Sequence, residues 1–131
     1  MKKKIAALLL ISLALPLQSF APDEPEVMTK EDGMYVVNTA TIGRKVTGYV
    51  GATPLKIYIQ KNKIVKIEAL RNQETPKYMA RVKKELLGKW DGKKVKDALK
   101  EKVDGVTGAT FTSDAVIQNV QIGLEYYQQN K

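Results

Sequence analysis

The sequence predicts an α+β domain: a small antiparallel sheet packed by helices and closed by a long C-terminal helix. Three observations carry that expectation. Leu55-Lys56-Ile57-Tyr58-Ile59 alternates apolar and polar residues, Lys61-Asn62-Lys63 marks a turn, and Ile64 to Leu70 returns as a second strand. That is the pattern of an antiparallel hairpin with one buried face. Thr75 followed by Pro76 has the cap-then-proline signature of a helix start. Ala115, Val116, Val120, Ile122, Leu124 and Tyr127 recur at spacings near three and four, which lays one apolar stripe along a helix.

The remaining elements follow in chain order. Met1-Lys2-Lys3-Lys4 is basic, Ile5 to Leu17 is apolar but too short to span a bilayer comfortably, and Ser19-Phe20-Ala21 carries small residues where a signal peptidase reads. Residues 1–21 are therefore expected to be a signal peptide cut after Ala21, with an uncleaved membrane anchor as the alternative. Pro22 to Gly33 is acidic and proline-bearing, so 22–33 reads as a flexible linker and 34–131 as the domain proper. Met34 to Ile42 alternates as a first strand, and Val46 to Val50 offers another. From Pro76 a helix is expected to Leu87, burying Met79, Val82, Leu86 and Leu87 and ended by Gly88. A short helix from Val95 to Lys102 carries Ala98 and Leu99. The last helix is expected to start among Thr112, Ser113 and Asp114, all good N-cap residues.

Composition removes several chemistries. The chain has no Cys and no His. Disulfides, haem attachment, iron–sulfur ligation by Cys, the usual Cys/His zinc sites, Cys nucleophiles and Ser-His-Asp triads are all excluded, and no metal site is expected. An electron carrier built from this chain needs an organic cofactor. There are 22 basic and 14 acidic residues, and from Gly33 onward basic residues outnumber acidic ones two to one. Such a surface suits nucleic acid, anionic lipid or an acidic protein; export argues against nucleic acid. Most of the lysines are expected to form a solvated face.

The run Asp104-Gly105-Val106-Thr107-Gly108-Ala109-Thr110, followed by Phe111-Thr112-Ser113-Asp114, carries the sharpest chemistry. Gly105 and Gly108 permit a tight turn. A turn leading into a helix N-terminus presents unpaired N–H groups and the positive end of the helix dipole to an anion. Thr110 brings a hydroxyl to that mouth, and Ala109 is small enough to let a ligand close in. As residues alone, an ordinary turn with a helix cap is the simpler reading.

The same run resembles the flavinylation motif of the FMN-binding domain family. That motif is an Asp, a small residue, a variable residue, Ser or Thr, Gly, Ala and an acceptor Thr; Asp104, Gly105, Thr107, Gly108, Ala109 and Thr110 match in order. Asn72-Gln73-Glu74-Thr75-Pro76 is similar to the family's Asn-x-Glu-Thr-Pro segment near the flavin. Gly48-Tyr49-Val50-Gly51 with Pro54-Leu55 resembles its Gly-Tyr-x-Gly-…-Pro-Leu stretch. Larger relatives continue Glu-Thr-Pro with a glycine-rich turn, where this chain has Lys77-Tyr78-Met79. The covalently flavinylated relatives include the C subunit of the sodium-translocating NADH:quinone oxidoreductase and the G subunit of the Rnf complex. Beside them this chain looks like a small stand-alone exported member.

The resemblance implies FMN joined to Thr110, not Thr112, through a phosphoester made by an FAD-dependent flavin transferase. Thr107, Gly108 and Ala109 shape the turn, Asp104 orients it or is read by the transferase, and Glu74, Thr75 and Phe111 lie at the flavin. No catalytic residue is implied: the chain is the transferase's substrate and then an electron carrier more than an enzyme. Its partners would be that transferase and a membrane redox complex or an extracytoplasmic electron acceptor. Its place would be the periplasm or the outer face of the cytoplasmic membrane. Tyr49, Trp90 and Phe111 are aromatics that either stack on a flavin or fill the core, Phe111 being the one beside the acceptor. The rival reading is a cofactor-free basic module that binds the cell envelope, with the motif only a turn.

Overall fold

Turn chemistry and alternation produce four strands, β1 (Met28–Glu31), β2 (Met34–Asn38), β3 (Leu55–Gln60) and β4 (Lys63–Ala69), in one antiparallel sheet of that order. The computed structural model describes residues 26–131; the expected signal peptide and residues 22–25 of the expected linker lie outside them. Helices α1 (Pro76–Glu85), α2 (Val95–Lys100) and the long α3 (Thr110–Asn130) complete the α+β fold, with a 3-10 turn at Leu87–Trp90.

The central hairpin forms as the alternation requires. Lys61 and Asn62 take positive φ (52° and 62°) in the two-residue turn, which matches the twist of the flanking strands. Leu55, Ile57, Ile59, Ile64 and Ile67 all point to one buried face. Against that face α3 lays Val116, Val120, Leu124 and Tyr127, while Met79 and Val82 of α1, then Leu86, Leu87 and Trp90, close the side.

Several expectations need correction. Residues 28–31, placed in the linker, form edge strand β1, with Met28 opposite Val37 and Glu31 opposite Met34. Asp32 (φ 52°) and Gly33 (φ 77°) make the tight turn between them, so an Asp-Gly hairpin signal outweighs the acidic, proline-bearing composition. Strand β2 stops at Asn38 rather than Ile42, because the Asn38 carboxamide accepts the Ala40 N–H (2.8 Å) and turns the chain. Val46–Val50 is a loop with a single bridge, Thr47 to Ala52. Helix α1 ends at Glu85 instead of Leu87. Gly88 sits inside the 3-10 turn, whose tighter winding carries Leu87 and Trp90 into the core. Helix α2 ends at Lys100, not Lys102. Helix α3 begins at Thr110, ahead of the hydroxyl-rich stretch expected to cap it; its N-cap position is Ala109, with no side-chain cap.

Candidate functional site

The site is organised by one buried carboxylate. Glu74 is 4% exposed. Its Oε1 accepts the Tyr49 N–H (2.7 Å) and the Thr112 hydroxyl (2.7 Å). Its Oε2 accepts the N–H groups of Val50 (2.6 Å) and Gly51 (2.9 Å). Asn72 braces the same loop from behind, accepting the Glu74 N–H at 3.0 Å and donating to the Leu70 carbonyl at 3.0 Å. Burial pushes the Glu74 carboxyl up, but the Thr112 hydroxyl and the three N–H groups outweigh it and hold the pKa below the ordinary carboxylate value. An ionised Glu74 therefore ties the 48–51 loop to the first turn of α3. Gly48 is needed there: a β-carbon at that position would collide with the Glu74 carboxylate.

This clasp sets the walls of a cleft of about 250 Å³ at the N-terminus of α3. Tyr49, Tyr78 and Phe111 form its aromatic side, and the chain from Gly108 to Thr112 forms the other. The Tyr49 ring lies 6.0 Å from Tyr78, edge-on at 81°, and 6.2 Å from Phe111, tilted by 37°. Tyr49 and Phe111 are 61% and 66% exposed, unusual for aromatics with no covering element. Gly108 adopts φ +85°, the left-handed conformation that turns the chain into α3. No acceptor meets the N–H groups of Thr110, Phe111 and Thr112 among the described residues, so three backbone donors stand open at the helix mouth.

The residues expected at the site divide into three groups. Thr110, Gly108, Ala109 and Phe111 line the cleft, with the Thr110 side chain exposed at the first helical position. Glu74 and Thr75 do not line it. Glu74 has its oxygens filled by the clasp, and Thr75 is the α1 N-cap residue, whose carbonyl accepts from Tyr78 (2.9 Å) and Met79 (3.0 Å). Asp104 and Thr107 are exposed on the approach to the turn, where the Asp104 carbonyl accepts from Lys89 Nζ at 3.2 Å.

Thr112 and Ser113 are not caps. Both are buried, the first donating to Glu74 and the second accepting the Val106 N–H at 2.9 Å. Trp90 is core, 2% exposed, and takes no part in the cleft.

Two contributors come from the exposed side of α1, which the apolar pattern did not single out. Tyr78 lines the cleft and carries Lys77 Nζ over its ring at 5.3 Å. The Arg81 guanidinium lies against Gly108, with Nη1 3.0 Å from where a β-carbon would stand. Arg81 Nε is held by Glu85 at 3.0 Å. The signal was present in Lys77-Tyr78 and Arg81, three or four positions apart on one helix face.

A ligand suited to these walls is planar and aromatic on one side and anionic at the helix mouth, so fold and site together define a domain for a nucleotide-like cofactor. The family model described as FMN-binding domain matches residues 48–125, more than half of the chain, and spans both the 48–51 loop and the Thr110 turn. The chain belongs to the FMN-binding domain family, and FMN is the cofactor that membership assigns to it. Comparisons with curated proteins and with solved structures find no match.

Proposed function

We propose that FMN is held on Thr110 as a phosphoester and that the domain is an exported electron carrier. The observation that carries the covalent reading is the contrast between the two threonine hydroxyls at the cleft. The Thr112 hydroxyl donates to Glu74, whereas the Thr110 hydroxyl stands exposed beside the open N–H groups of the helix mouth. The shallowness of the cleft supports it. Ligand sites that bury a cofactor run from about 300 Å³ upward, and this one is about 250 Å³ and open. A tether removes the need for enclosure.

Attachment balances simply. The Thr110 oxygen bonds to the phosphorus of the FMN half of FAD while the pyrophosphate P–O bond breaks. AMP leaves with the bridging oxygen, and the hydroxyl proton is lost to a base. A flavin transferase, a separate protein, supplies that base and its own metal. With FMN on Thr110, the α3 N–H groups and Arg81 would hold the phosphodiester, and Tyr49, Tyr78 and Phe111 would pack against the ring system. Bound FMN supplies reversible one- and two-electron chemistry. Because Tyr49 and Phe111 are exposed at the rim, a ring held there would be open to a docked donor or acceptor. A membrane redox complex on one side and an extracytoplasmic acceptor on the other fit an exported carrier, and export itself rests on the Met1–Ala21 pattern.

The test is intact mass after co-expression with a flavin transferase. The expected result is a gain of one FMN less one water in the wild type, absent in Thr110→Ala and present in Thr112→Ala. An unmodified wild type, or an adduct that persists in Thr110→Ala, refutes the assignment.

A further inference from the structure

A second cleft lies at the other end of α3. Lysines 61, 63, 94, 96 and 131 line a hollow of about 350 Å³ together with Asn62, and no Asp or Glu side chain is among its walls. We propose that this hollow is a binding site for an anion carrying two or more phosphate groups, separate from the flavin cleft. The two are about 27 Å apart, the length of helix between Thr110 and Gln128 at 1.5 Å per residue.

The lysines are brought together by backbone bonds, not by chance side-chain placement. The Val95 N–H bonds the Asn62 carbonyl (2.9 Å), the Ile64 N–H bonds the Lys93 carbonyl (2.8 Å), and Lys63 and Lys94 face each other in an antiparallel bridge. Like charges directly opposite one another oppose folding. The ion pairs of the described residues join Lys66 to Glu68, Arg81 to Glu85 and Lys93 to Glu101, and engage none of these five. Asp97, in the first turn of α2, adjoins Lys96 in sequence, and Asp91 and Asp97 each stand three residues from Lys94.

Apart from the Gln128 carbonyl oxygen, the side-chain polar atoms that remain in the walls of the hollow are donors. Asn62 Oδ1 already accepts from the Tyr127 hydroxyl (2.6 Å) and Lys131 Nζ (3.0 Å), which leaves its NH₂ free among the described residues. Several ammonium groups and an amide NH₂ around one hollow match an acceptor-only, multiply charged ligand, and lysine binds phosphate as a point charge. A peptide strand would need free backbone groups, and those of Ile64 and Val95 are taken. A membrane face would need apolar residues at its rim; Val95, the one apolar lining residue, is 1% exposed.

The experiment measures thermal unfolding of the domain in sodium tripolyphosphate against sodium chloride of equal ionic strength. Backbone amide shifts then locate the binding. The expected result is a higher Tm in tripolyphosphate than in chloride, with shifts at 61–63 and 94–96 and none around Thr110. In Lys63→Gln/Lys94→Gln the gain disappears and affinity falls about tenfold or more, while Tm in plain buffer is unchanged or higher because repulsion is relieved. An equal rise in chloride, shifts centred on Thr110, or binding to phosphatidylglycerol vesicles without binding to tripolyphosphate each overturns the proposal.

Discussion

Replacing Glu74 by Gln tests whether one carboxylate organises the cleft at the N-terminus of α3. The change keeps the volume but substitutes an NH₂ for one of two oxygens, each of which accepts two bonds. If the amide oxygen stays with Tyr49 and Thr112, the NH₂ meets the N–H groups of Val50 and Gly51 head-on. A hydrogen bond to a charged group contributes about 1.5–3 kcal/mol, so two lost bonds cost about 3–6 kcal/mol. The neutral amide is easier to bury, which offsets part of this and leaves an expected loss of about 3 kcal/mol. For a domain of this size that lowers Tm by about 12 °C. Urea unfolding followed by the fluorescence of Trp90, the one tryptophan and 2% exposed, measures it directly.

The pH dependence sharpens the test. A carboxyl whose folded pKa is depressed stabilises the fold fully above its ordinary value, 4.5, and loses that contribution as the pH falls through the folded value. The gap between wild type and Glu74→Gln is therefore widest at neutral pH and narrows in acid. A gap below about 1 kcal/mol at pH 7, less than a single charged hydrogen bond, or one that stays constant down to pH 3, refutes the clasp.

Three further outcomes follow from the same geometry. Thr112→Ala keeps the flavin adduct by mass yet unfolds more easily by about 1.5–3 kcal/mol, because it removes the hydroxyl bonded to Glu74. Gly108→Ala places a side chain at φ +85° and crowds Arg81 Nη1, so it costs about 1–2 kcal/mol in backbone conformation and lowers adduct yield in a timed flavinylation assay. Tyr49→Ala leaves the adduct mass unchanged but removes a ring from the cleft, so flavin fluorescence rises relative to wild type; unchanged fluorescence would place the ring elsewhere.

The parts of the fold that were legible are those whose signal is local. The β3–β4 hairpin alternates cleanly because both strands bury one face, and Thr75-Pro76 marks α1 because proline's fixed φ and missing N–H suit the first helical position, although the Thr75 side chain makes no cap bond. The acidic, proline-bearing composition of 22–33 masks strand β1, although Asp32-Gly33 supplies its hairpin turn. Thr112 and Ser113 were misassigned because a hydroxyl near a helix start looks the same in sequence whether it caps its own backbone or bonds a distant group. The motif points to Thr110, Gly108, Ala109 and Phe111, and these four line the cleft. Glu74 was placed there only by resemblance, and its partners explain how it acts: it shapes the loop that carries Tyr49. Tyr78 and Arg81 carry only the weak signal of an aromatic and a cation one turn apart on α1, which an ordinary solvated helix edge also shows.

The Glu74–Thr112 bond joins positions 38 residues apart, and the same carboxylate reaches back 23 to 25 residues to the 48–51 loop. The cleft therefore does not exist in any short stretch of the chain. An unfolded or half-made polypeptide displays the same Thr-Gly-Ala-Thr letters without the aromatic wall or the ionised clasp behind them. A partner that engaged the cleft as well as the motif would thereby inspect the finished tertiary structure, and a cofactor attached in that way would reach only chains that have completed folding.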